Sequence, residues 1–242
     1  MPLLEVDRLT KSFGGIRAVS GVSFAIEQGE LLGIMGPNGS GKTTVFNLIA
    51  GALTADAGSI RLHGEEIGGL SPHRICGKGV ARTFQFVRPF PGLSTLDNVR
   101  VGLLYGRSPG RTDARKLLTL VGLDAKAHTR AADLTLVERK RLELARALAT
   151  SPDLLLLDEF MAGLNPAETA GAMDLIRTLV AQGMTVLMVE HIVWALMKLS
   201  RRILVLSAGE KIAEGPPEAV AADSVVLDAY LGSDPGSWIR AA

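Results

Sequence analysis

Gly36-Pro37-Asn38-Gly39-Ser40-Gly41-Lys42-Thr43 has the spacing G-x-x-x-x-G-K-[ST], and each residue type in it serves a chemical purpose. The glycines let the backbone curl so that successive N–H groups point at phosphate oxygens. A helix that starts at Lys42 adds its positive end to the same anion. Lys42 is spaced to reach the β- and γ-phosphates, the Thr43 hydroxyl is spaced to ligate Mg²⁺, and Thr44 completes the set. The pattern implies a bound nucleoside triphosphate. Such a loop needs a carboxylate across the site, and Leu154-Leu155-Leu156-Leu157-Asp158-Glu159 supplies it. Four apolar residues deliver Asp158, a metal-binding acid, to a strand end, where tandem acids are costly unless a cation or water uses them. Glu159 follows, placed to polarise a water for attack on the γ-phosphate.

These residues require a sheet with one shared edge. The run at 31–35 reads as a buried parallel strand, and further strands are expected at 154–157, 185–189 and 203–206. Residues 3–9, 19–26 and 59–63 suggest a first, partly antiparallel sheet. Helical periodicity fits 42–50, 136–149, 167–181 and 192–199, so the fold class is α/β. The stretch at about 95–135 differs: it holds helical segments at 96–104 and 114–121 and no convincing strand. That predicts a helical subdomain inserted into one domain spanning 1–232, with a loosely ordered tail at 233–242.

Composition narrows the classes further. The 242 residues are 47% hydrophobic and 21% charged, which excludes intrinsic disorder and low complexity. A net charge of +1 removes the electrostatic footprint of a dedicated nucleic-acid binder. Cys76 is the one cysteine, so neither an internal disulfide nor a cysteine metal cluster is possible. No apolar run reaches the ~18–20 residues that span a bilayer, and the first residues lack the layout of a secretory signal. Any membrane link is expected to run through a partner.

From about residue 3 to residue 232 the chain resembles the ATP-binding subunit of an ABC transporter, which implies a P-loop NTPase of the ABC type. The mixed sheet core would carry an antiparallel β subdomain and an inserted helical subdomain. Leu9-Thr10-Lys11-Ser12-Phe13-Gly14 looks like the aromatic loop of that family, whose ring, here Phe13, would stack on adenine. Thr83-Phe84-Gln85 looks like the loop whose glutamine contacts Mg²⁺ and the attacking water. Val189-Glu190-His191 is similar to the segment whose histidine contacts the γ-phosphate, and Ala162-Gly163-Leu164-Asn165 to the dimer-contacting loop. Glu159, His191 and Gln85 would then be catalytic, and Thr43, Gln85 and Asp158 would hold the metal.

The stretches 82–93, 161–166 and Ala229-Tyr230-Leu231-Gly232 resemble the branched-chain amino acid importer group. The resemblance implies ATP and Mg²⁺ as cofactors, and as partners a second ATP-binding subunit, permease subunits and, indirectly, a solute-binding protein. It places the chain at the cytoplasmic face of the inner membrane. Phe86, Val87, Phe90 and Leu93 would form a groove for a permease helix. Two other readings stay in view. One is a nucleotide-binding regulatory subunit with little hydrolysis. The other is a DNA-maintenance or translation ATPase, which usually carries coiled-coil arms or tandem cassettes for which this length leaves no room.

One motif departs from the family. Where Leu-Ser-Gly-Gly-Gln is usual, the aligned residues are Leu134, Thr135, Leu136, Val137 and Glu138. Both glycines are gone, and Glu138 brings a carboxylate where a neutral amide is usual. At ~8 Å from a phosphate charge and an effective dielectric of ~20, the repulsion is about 2 kcal/mol per unit charge. Thr135-x-x-Glu138 is also a capping box, so both residues have a structural use at a helix start. The altered segment favours a heterodimer with unequal sites, with a homodimer also admissible. Smaller departures are Phe160, Asn165 and Ile192. His63, His73 and His128 lack ligand spacing, and Arg139, Lys140, Arg141 and Arg146 read as a solvated or phosphate-facing rim.

Overall fold

The fold is that of a computed structural model, which describes residues 1–84, 87–107 and 113–231. β1 (Leu4–Phe13) and β2 (Ile16–Ile26) form a hairpin, and β3 (Leu31–Met35) leads into α1 (Lys42–Ile49). β4 (Ala57–Leu62), β5 (Glu65–Glu66), α2 (Pro72–Lys78) and β6 (Val80–Arg82) follow. Next come α3 (Thr95–Tyr105), α4 (Ala114–Leu120) and α5 (Leu136–Ala149), then β7 (Leu154–Asp158). The remaining elements are α6 (Pro166–Ala181), β8 (Thr185–Val189), α7 (Val193–Leu199), β9 (Arg202–Ser207), β10 (Glu210–Gly215), α8 (Pro217–Ala221) and α9 (Ser224–Leu231).

Two sheets result. The smaller has the order β2-β1-β4-β5 and is antiparallel throughout, where the sequence suggested only partly so. The larger has the order β10-β9-β3-β8-β7-β6 and is parallel except for β10 at its edge. Its central strands β3, β7 and β8 are apolar almost throughout because both faces are covered, while the edge strand β10 is polar. Leu32, Ile34, Leu154, Leu156 and Leu187 face α1 and the smaller sheet. Leu31, Leu155, Leu157, Val186 and Met188 face the opposite core, built with α3 to α7. Each such buried side chain contributes roughly 1.5–3 kcal/mol.

Parallel pairing sends four strand ends to one edge. Asp158 pairs with Val189 and Val189 with Ile34, so the residues after β3, β7 and β8 emerge side by side. β6 adds Thr83 next to them through its register with β7. In an open sheet this edge, where the strand order switches, is where ligands bind.

Several elements run beyond the sequence reading. β1 continues past Leu9 to Phe13 through polar residues, because Asp56 accepts hydrogen bonds from Lys11 Nζ and the Ser12 N–H, each at 2.7 Å. β6 and α2 were not expected, nor were β10, α8 and α9. Between 95 and 135 the expected helices are present and the described residues hold no strand, only two 3₁₀ turns and one isolated bridge. The expected tail at 233–242 lies outside the described residues.

Candidate functional site

The loop between β3 and α1 is shaped by close backbone contacts. Gly36 has φ 152°, and a Cβ there would sit 2.1 Å from the Leu206 carbonyl oxygen. Gly41, in the left-handed region at φ 102°, caps α1, and a Cβ there would meet the Ala18 carbonyl at 2.5 Å. The first turn of α1 carries no acid that would compete with an anion for its open N–H groups. Lys42 is buried, and its Nζ donates to the Gly36 carbonyl at 2.7 Å and to the Pro37 carbonyl at 2.9 Å. Burial lowers the Lys42 pKa from its ordinary value, while the Glu159 charge opposes that shift.

Across the loop stand the strand-end acids. Asp158 is buried, and its Oδ2 lies 2.6 Å from Arg82 Nη2; the other terminal nitrogen of Arg82 donates to Asn47 Oδ1 at 2.6 Å. Arg82 thereby ties the helix that carries Lys42 to the strand that carries Asp158. Glu159 sits at φ 50°, a left-handed backbone that costs a residue with a side chain about 1–3 kcal/mol. Its Oε1 lies 2.7 Å from His191 Nε2, so the two residues expected to act together meet directly.

Asn38, Lys42, Thr43, Thr44, Glu159 and His191 line one open cavity of about 380 Å³, with Phe13 at its rim. Phe13 is 46% exposed, so it is no core residue but a flat apolar face presented to the cavity. Among the described residues no three His, Cys, Asp or Glu side chains cluster as a metal site. The Thr43 hydroxyl on the cavity wall is a hard oxygen donor of the kind Mg²⁺ takes alongside phosphate and water. Asp158, by contrast, is not among the cavity's lining residues and is held by Arg82. Gln85 and Phe86 lie outside the described residues.

The departing motif is resolved at its helix start. The Thr135 hydroxyl accepts from the Glu138 N–H and the Glu138 carboxylate accepts from the Thr135 N–H, closing the capping box at the head of α5. Glu138 also meets Lys126 Nζ at 2.5 Å, which is the main reason its pKa is lowered. The carboxylate is thus turned back onto its own chain and paired there with Lys126. Leu134 is buried and Leu136 is exposed beside Gly163. Asn165 caps α6 in a second capping box, with Glu168.

In the charge run on α5, Arg139, Arg141 and Arg146 are half-buried, and Lys140 alone departs fully from a solvated rim. Lys140 is buried with its Nζ 3.3 Å from the Glu159 carbonyl, and Arg146 Nη1 donates to the Arg88 carbonyl at 2.9 Å. Lys140 turns toward the strand-end acids, while Arg146 faces the second cavity. His63 pairs with Asp153 at 2.8 Å, a surface contact as expected. A second cavity, of about 470 Å³, opens between α2, α3 and α5, with Arg82, Phe84, Arg88, Tyr105 and Glu143 on its walls. Phe90 stays exposed beside it, with Arg146 4.8 Å from its ring centre, and Leu93 is exposed as well. Glu143 accepts the Phe84 N–H at 2.9 Å, and burial pushes its pKa up to about 7.

Four residues were given no individual role at the nucleotide cavity by the sequence. Arg82, Glu143 and Lys140 are ordinary charges until packing aims them at the site. Tyr230 was noticed only within a group pattern; its hydroxyl accepts a hydrogen bond from the Gly36 backbone, while burial pushes its pKa up to about 12. The last described helix therefore touches the first residue of the phosphate loop.

Comparison with known proteins agrees with this geometry. Residues 19–162 match the ABC transporter family, and residues 210–235 match a segment described as branched-chain amino acid ATP-binding cassette transporter. The chain is 40% identical to the high-affinity branched-chain amino acid transport ATP-binding protein BraF of Pseudomonas aeruginosa, covering 96% of this chain and 98% of that one. It is 37% identical to the corresponding LivG protein of Escherichia coli, with the same coverage of 96% and 98%. Among solved structures, it superposes on the ADP conformation of MJ1267, an ATP-binding cassette of an ABC transporter. That match has a TM-score of 0.86 at 29% identity, covering 96% of this chain and 100% of that one.

Proposed function

The chain belongs to the ABC transporter family of ATPases, and from that premise we propose that it powers import of branched-chain amino acids, or of related small amino acids and amides. It would do so from the cytoplasmic face of the membrane, bound to permease subunits and paired with a second ATP-binding subunit, with a solute-binding protein acting indirectly. No helix among the described residues is long and apolar enough to cross a membrane, in keeping with a peripheral subunit. The second cavity, with Phe90 and Leu93 exposed nearby, suits a docked permease helix.

The observation that carries the hydrolytic reading is the meeting of His191 Nε2 and Glu159 Oε1 at 2.7 Å on the same cavity as Lys42 and Thr43. In this reading Phe13 stacks on the adenine, the 36–41 backbone and Lys42 hold the phosphates, and Thr43, Asp158 and Gln85 serve the metal. When bound, Mg²⁺ neutralises charge on the β- and γ-phosphate oxygens. Glu159 orients and deprotonates the water, and His191 fixes the Glu159 carboxylate and reaches the γ-phosphate side of the cavity. The regulatory alternative, with little hydrolysis, is the weaker reading: Glu159 and His191 meet at the same cavity, and the relatives are transport ATP-binding proteins.

Phosphate release by the assembled complex tests it. Glu159→Gln is expected to bind ATP as the wild type does and to release phosphate at least ~100-fold more slowly, the usual effect of losing a general base. A Glu159→Gln chain that turns over at the wild-type rate would remove Glu159 from the mechanism. Stimulation of the reconstituted complex by leucine-loaded binding protein, compared with urea, would separate the solute classes.

A further inference from the structure

Behind the cavity lie two buried charged residues with no assigned role. Lys140 of α5 and Glu190, the residue after β8, are each 3% exposed. The two groups feel each other's charge. Each also holds the backbone around Phe160 from a different side. Lys140 Nζ donates to the Glu159 carbonyl at 3.3 Å, and Glu190 Oε1 accepts the Met161 N–H at 2.7 Å. The bend they grip is the left-handed one, φ 50° at Glu159, closed by the Ala162 N–H donating to the Glu159 carbonyl at 3.1 Å.

A side chain rarely keeps that backbone unless its surroundings impose it. The neighbours here do impose it: one fixes the carbonyl before Phe160 and the other fixes the N–H after it. The two come from different elements, the helix capped by Thr135 and the strand end that presents His191.

We propose that Lys140 and Glu190 are positioning residues that hold the Glu159 backbone in its left-handed bend and so set where the Glu159 carboxylate lies. The direction of the Cα–Cβ bond follows from the backbone, and a shift of ~1 Å in a reacting group is enough to slow an in-line attack severely. Any movement of the α5 cap would reach Glu159 through Lys140. The inference rests on Glu159 being the base, and the experiment separates the two claims.

The full chain, alone and in its assembled complex, would be assayed for phosphate release and for binding of a fluorescent ATP analogue. Lys140→Met is expected to lower kcat at least tenfold while KM for ATP stays within twofold of wild type. Lys140→Arg keeps a donor and a charge and is expected to recover most of the rate. Lys140→Met/Glu190→Leu removes both buried charges together, which leaves neither unpaired and preserves the fold. It is expected to bind ATP normally and to be as slow as Lys140→Met. A folded Lys140→Met or double variant with kcat within twofold of wild type overturns the proposal, as does Lys140→Arg being no faster than Lys140→Met. If Glu159→Gln is inactive while the Lys140 variants are not, the positioning claim fails alone. If Glu159→Gln is fully active, the base assignment fails first.

Discussion

At the scale of single residues, the phosphate loop separates two kinds of glycine. Gly39 has φ 78° with nothing within 4 Å of an added Cβ, so Gly39→Ala meets only the left-handed penalty of ~1–2 kcal/mol. Gly36→Ala must displace backbone, because its Cβ would lie 2.1 Å from the Leu206 carbonyl. Gly36 also donates its N–H to the Tyr230 hydroxyl, so any shift is transmitted to α9. ATP titration is expected to show at least a tenfold weaker Kd for Gly36→Ala and a change under threefold for Gly39→Ala if that strain leaves the bound loop unaltered. Equal losses in the two variants would show that loop flexibility, not the Gly36 approach, governs binding.

At the scale of elements, α5 is where charge and packing interact. Glu143 is held close to neutral pH by burial, with its pKa raised from 4.5 to about 7. The folded chain therefore binds more protons than the unfolded chain between those values, so stability falls as pH rises through this window. Below pH 4.5 the contribution is fully present, and above about pH 7 it is lost. Glu143→Gln keeps a carbonyl for the Phe84 N–H and removes the titration. The melting temperature of the variant relative to wild type is expected to climb between pH 4.5 and 7 and then level off. A constant difference across that range would refute the assignment.

Much of this element level was legible beforehand. α5 begins and ends where its period and its Thr135 cap predict, and β3 and β8 match their apolar runs. The lost elements have local reasons. β6 is three residues long, too short for a pattern, and it forms because β7 offers a partner. β10 is a polar edge strand that pairs on one side only. What was legible was the grouping that spacing dictates, since Lys42, Thr43 and Glu159 line one cavity. The site was illegible where a charge acquires its meaning from packing, as with Lys140, taken for a solvated residue, and Arg82, whose two partners lie 35 and 76 positions away.

At the scale of the molecule, the cavity is open and its signature segment, Leu134 to Glu138, sits at the head of α5 rather than beside Lys42. In the proposed reading, a second subunit would be needed to bring such a segment to the phosphates. Leu136 and Val137 replace the small residues that would let a backbone approach closely. Light scattering of Glu159→Gln with Mg·ATP is thus expected to show a monomer when the chain is alone and a dimer when an ATPase with an intact signature is added. A stable homodimer on nucleotide alone would reverse that expectation and make the two sites equal.

The strand order also sets a timetable for synthesis. β3, which supports the phosphate loop, lies between β8 and β9, its hydrogen-bonding partners on either side. The ribosome has released the whole motif long before either flank exists. At ~5–20 residues per second, β8 emerges about 8–30 s after β3, and Tyr230 later still. During that interval the loop has no floor and Gly36 has no tether. The apolar run at 31–35 therefore waits, unpaired on both sides, until the last third of the chain supplies β8 and β9.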